Sequence, residues 1–86
     1  MEMAGTDAAV RDAVIAQKRD FARRLTDTAR EAGAADPESL GGQLAVLFEG
    51  AMALATSLDD PGPVQDAYAA AVTLVDAAVG RPAGQG

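Results

Sequence analysis

A chain of 86 residues with a net charge of −6, no cysteine, no histidine and 3% aromatic residues excludes several function classes at once. Disulfides, Cys/His zinc sites, haem ligation by those side chains, Ser-His-Asp triads and cysteine nucleophiles are all impossible. A domain this small buries only about 60% of its unfolded surface, so oligomerisation is the reinforcement left to it; its acidity argues against a free-standing nucleic-acid binder and gives no support for binding an anionic membrane.

The segment from Met1 to Asp7 has neither the basic region nor the apolar core of a signal peptide. The longest uncharged mid-chain run, Gly50 to Leu58, is far shorter than the roughly 20 residues that span a bilayer. The expectation is a cytoplasmic protein with no membrane partner.

The first helix is expected from about Asp7 to Ala32, with Thr6 as its N-cap. Val10, Val14, Phe21, Leu25 and Ala32 form its apolar stripe, with Ile15, Ala22 and Ala29 on the shoulder; Gln17 and Lys18 interrupt it. The outer face alternates Asp12, Arg19, Asp20, Arg23, Asp27, Arg30 and Glu31. Such alternation reads as a solvated face and not as a phosphate site. Asp20 and Arg24 stand four apart in the favourable order, a pair worth about 0.2–0.5 kcal/mol. Gly33 supplies a left-handed end.

Asp36 caps the second helix, and Pro37 sits in its first turn, where a missing N–H costs nothing. The helix runs to Leu58. Leu40, Leu44, Leu47, Ala51, Leu54 and Leu58 follow at alternating spacings of four and three, which places them on one face. The opposite face carries only one charge, Glu49, and is otherwise small: Gly42, Ala45, Gly50, Ala53, Thr56 and Ser57. A surface helix normally has a charged back. This one reads as covered on both sides, the second cover coming from another molecule.

Asp59-Asp60-Pro61-Gly62-Pro63 breaks the helix. The third helix is expected from about 62 to 79, with Val64, Ala67, Tyr68, Ala71, Val75 and Ala78 as its stripe. Gly80 and Pro82 close it, and 81–86 reads as a disordered tail. The fold class is all-α: one domain over residues 1–80, with three antiparallel helices per chain, dimerising through a four-helix bundle.

No constellation points to catalysis, cofactors or metal. The acidic pairs Asp59-Asp60 and Asp36-Glu38 lie where caps and turns favour carboxylates. Gly41-Gly42 follows no strand and has no nearby lysine, so close helix packing explains it better than a phosphate loop. Glu49 is read either as a buried carboxylate facing a ligand or as a group paired with a cation of the first helix, and the second reading is favoured. Tyr68 is read either as a pocket residue or as a ring at a helix interface with its hydroxyl at the rim. Phe48 and Met52 read as packing residues.

The order Arg30-Glu31-Ala32-Gly33-Ala34, then Asp36-Pro37-Glu38-Ser39-Leu40, then Gln43-Leu44-Ala45-Val46-Leu47-Phe48-Glu49-Gly50-Ala51, before a break at Asp60-Pro61 and an alanine-rich last helix, resembles the C-terminal part of TetR/AcrR-family transcriptional regulators. The likeness covers roughly Arg19 to Val79. It implies an all-α regulatory domain whose last two long helices pair with those of a second subunit. Carried onto this chain, the interface would comprise Leu44, Leu47, Phe48, Ala51, Leu54, Val64, Tyr68, Ala71 and Val75. The family's N-terminal helix-turn-helix and most of its ligand-pocket helices have no counterpart here, so neither DNA binding nor effector binding transfers. The leading expectation is therefore a homodimerisation module without its own DNA-binding head, with itself as partner and DNA only through a helix-turn-helix absent from these residues. Two alternatives are a small helical protein that covers another regulator's dimer surface, and a ligand-binding bundle using Lys18, Glu49 and Tyr68.

Overall fold

The computed structural model describes residues 3–80, with side chains from residue 7. Among the described residues there are three helices and no strand: α1 (Met3–Glu31), α2 (Pro37–Leu58) and α3 (Gly62–Ala78). The expected tail at 81–86 lies outside the described residues.

The punctuation acts where the sequence places it. Gly33 takes a φ of +88°, which ends α1 and turns the chain toward α2. The Asp36 carboxylate accepts a hydrogen bond from the Ser39 N–H at 3.2 Å, capping α2, and Pro37 opens its first turn. At the other end Asp59 adopts the left-handed conformation, its N–H returning to carbonyls of the last turn. Asp60 then accepts from the Gly62 N–H at 2.9 Å and sets the entry to α3. The start of α1 differs from expectation. The helix begins at Met3, so Thr6 lies inside it and does not cap it. Met and Ala are strong helix formers, and a cap worth about 1 kcal/mol does not stop a helix that nothing else interrupts.

α2 is the central element, with α1 along one side and α3 along the other. Its neighbours run antiparallel to it: Lys18 meets Glu49 and Arg30 meets Glu38, while Leu44 lies by Val75 and Leu54 by Pro63. α1 and α3 barely touch each other. A hydrogen bond from the Ala35 N–H to the Ala78 carbonyl at 3.2 Å ties the first connection to the end of α3. The result is a layer with extents of 58 × 30 × 12 Å, one helix deep, and not a closed three-helix bundle.

The core is correspondingly thin. Ala29, Leu40, Leu44 and Ala71 form the buried cluster, with Leu25, Phe48, Leu74 and Val75 packed partly around it. Among the described residues no side chain is fully buried, and the buried group includes no polar side chain. The radius of gyration is 16.1 Å, against about 12 Å for a compact domain of this length. The accessible surface is 6220 Å², against about 4,700 Å² for a compact monomer of this mass.

Candidate self-association surfaces

Three elements of sequence converge to make α2 a platform. Its stripe of Leu40, Leu44 and Ala51 is buried inside the chain. On the α1 side Gly41 is buried, and a Cβ there would come within 2.7 Å of the Thr26 Cα. Between them these contacts fix α2 on two sides and leave the rest of its circumference open. Successive helical residues are turned by about 100°, so Gly42, Val46, Gly50, Ala53 and Leu54 share the side that faces neither neighbour. All five are exposed. Val46 is 75% and Leu54 is 50% exposed.

That side continues onto α3. Val46, Gly50 and Leu54 line one open groove together with Pro63, Asp66 and Ala70. A neighbouring groove extends it past Gly42 and Gln43 to Leu74. The lining is mostly apolar and small, and it includes two carboxylates, Glu38 and Asp66. A built Cβ at Gly42 or Gly50 meets no atom within 4 Å, so neither glycine is required by packing inside the chain.

The nine interface residues expected from the sequence do not lie on one surface. Leu44, Ala51 and Ala71 are buried in the seam between α2 and α3, where they serve the fold of the single chain. Leu47, Phe48, Val64 and Val75 are half-buried around that seam. Only Leu54 and Tyr68 are substantially exposed, and they stand on opposite sides of it: Leu54 with Val46 and Ala70, Tyr68 with Phe48 and Val72. A single flat contact cannot use both. Val46, Pro63 and Ala70, which the leucine spacing does not select, lie on the open side with Gly50, and the uncharged back of α2 is the sequence signal that points to that side.

Glu49 and Tyr68 are not buried polar residues. Glu49 receives a hydrogen bond from the Lys18 ammonium at 2.6 Å, and both side chains are about half exposed. This is the cation pairing favoured for Glu49. Tyr68 is 68% exposed, and the groove it lines includes neither Lys18 nor Glu49. The three residues of the ligand-pocket alternative therefore do not enclose one cavity. The expected Asp20–Arg24 pair is present at 2.9 Å, and Arg23 also bonds Asp20. Arg30 bridges Asp27 at 3.1 Å and Glu38 at 2.6 Å, joining α1 to α2. Among the described residues no three carboxylates converge as metal ligands.

By length and composition alone, α2 is apolar enough to cross a membrane. Its Glu49–Lys18 pair at mid-helix and the charged α1 laid along it are features of a helix in water.

Comparison with protein-family models, with curated proteins and with solved structures finds no match for this chain.

Proposed function

We propose that the chain is the homodimerisation module of a TetR-like transcriptional regulator. In this reading α2 and α3 of two copies pack as a four-helix bundle across the Gly42–Val46–Gly50–Leu54 face. The observation that carries it is that face itself: apolar, nearly uncharged, and uncovered within the chain. Gly42, Gly50, Ala53 and Ala70 allow two helices to approach closely, since interaxial distance follows side-chain size at the contact. One patch serving both copies is the requirement of a twofold dimer. The surplus of surface over a compact monomer supports the same conclusion.

The family assignment rests on the motif order, with Asp36-Pro37 opening α2 and the Gln43–Ala51 run filling it. The module would hold two DNA-reading heads, supplied outside these residues, at the spacing of successive major grooves, roughly 34 Å. On this reading the protein works in the cytoplasm and is its own partner.

Sedimentation equilibrium in about 0.5 M salt, where charge contacts are screened within roughly 4 Å, tests the pairing. The chain is expected to be a dimer at micromolar concentration, and Val46→Asp a folded monomer. A wild-type chain that stays monomeric at these concentrations, or a Val46→Asp chain that pairs as well as wild type, overturns the reading.

A further inference from the structure

The open face of α2 and α3 carries a charge with nothing to balance it. Asp66 lines the groove together with Val46, Gly50 and Leu54 of α2 and with Pro63 and Ala70 of its own helix. Pro63, Asp66 and Ala70 follow at spacings of three and four, so Asp66 stands within the apolar strip, one turn from each neighbour. The Asp66 side chain is exposed and makes no hydrogen bond or ion pair among the described residues. Glu38, in the adjoining groove, differs in being held by Arg30.

No counter-charge is built beside Asp66. The other residues of its groove come from α2 and α3 and are uncharged, and none belongs to α1. Residues 36–80 carry seven carboxylates and no cation. The remaining carboxylates of that stretch lie elsewhere: Asp36 caps α2, Glu49 is bonded by Lys18, Asp59 and Asp60 stand in the turn by Met52, and Asp76 lines the groove of Tyr68. A second copy laid on this face therefore brings no lysine or arginine from its α2 or α3, and under twofold symmetry its own Asp66 arrives with it.

Closing the two faces takes water from both Asp66 carboxylates and supplies no partner. Desolvation disfavours the charged form of a carboxylic acid. A charge left unpaired at a dry contact opposes that contact. We propose that Asp66 limits the strength of the pairing described above and couples it to pH, each copy's Asp66 taking up a proton as the faces close. This coupling, which rests on the pairing of that face, has a defined sign. The dimer binds more protons than two separate chains, so its dissociation constant falls as pH falls and rises as pH rises.

Sedimentation equilibrium of the wild-type, Asp66→Asn and Asp59→Asn chains at about pH 7 and about pH 5 tests it. About 0.5 M salt screens the general repulsion between two acidic chains. Asp59→Asn changes the net charge by the same amount but lies off the face, and asparagine suits its left-handed backbone. The wild-type dissociation constant is expected to fall about tenfold from the higher pH to the lower. Asp66→Asn is expected to tighten the dimer about tenfold at the higher pH and to remove most of the pH dependence, while Asp59→Asn stays within about twofold of wild type. Asp66→Ala serves as a second neutral variant, and circular dichroism verifies equal helix content. A wild-type dimer indifferent to pH, an Asp66→Asn dimer no tighter than wild type, or equal tightening by Asp59→Asn overturns the coupling and leaves the pairing standing. Failure of wild type and Asp66→Asn alike to pair at either pH overturns the pairing itself, and the coupling with it.

Discussion

Gly41 lies against Thr26 between α1 and α2, and a Cβ on Gly41 would stand 2.7 Å from both the Cα and the backbone N of Thr26. Backbone cannot retreat as a side-chain tip can. Gly41→Ala is therefore expected to destabilise the chain by about 1–3 kcal/mol, even after the helix-propensity gain of about 1 kcal/mol. Gly42→Ala, with open space around the new methyl, should lose nothing in the lone chain. Urea unfolding of the two variants side by side decides the matter, and equal stabilities would show that the close approach is not real.

Leu44 and Leu54 belong to the same leucine stripe but should respond differently. Leu44 is 7% exposed and sits in the seam, so Leu44→Ala should cost about 2–5 kcal/mol and unfold much of the population. Leu54 lies at the open groove. Leu54→Ala should leave the fold of the dilute chain within about 1 kcal/mol of wild type and weaken association. Far-UV circular dichroism on dilute protein, combined with light scattering on concentrated protein, separates the two effects.

The Lys18–Glu49 bridge should contribute little. Both side chains are about half exposed, and exposed pairs are worth about 0–1 kcal/mol. Lys18→Ala is expected to shift the urea midpoint only slightly, and that shift should shrink in about 0.5 M salt. A loss of several kcal/mol would mean that the pair is desolvated by a partner.

Asp36→Ala should cost about 1 kcal/mol by removing the acceptor for the Ser39 N–H. Asp36→Asn keeps an acceptor and should retain most of the stability. If both substitutions cost the same, the cap is not the reason Asp36 matters.

The ends of α2 and the start of α3 were legible because glycine, proline and capping carboxylates act locally: Gly33, Asp36-Pro37 and Pro61-Gly62 each fix a few dihedrals whatever surrounds them. The last residues of α1 and α3 differ from expectation by one, within the fraying of any helix end. The start of α1 was misread because a threonine cap is a weak preference in a helix-forming run. The placement of the interface candidates was not legible. Periodicity shows that Leu44, Ala51 and Leu54 share one side of a helix; it does not show which part of that side meets α3 and which stays open. The spread of charge was visible in the residues of α1, but only the structure shows which of its cations are paired: among the described residues Lys18, Arg23, Arg24 and Arg30 are, and Arg11 and Arg19 make no ion pair.

A sheet of helices 12 Å thick has no inside in the way a globule has one. Every amide of α1 and α3 lies one side chain from bulk water on at least one flank, and only α2 has neighbours on two. Slow hydrogen–deuterium exchange in the dilute chain should therefore be confined to the middle of α2, the outer rods losing their protons by opening turn by turn. Protection that spreads outward as protein concentration rises would mark, residue by residue, where the missing cover arrives.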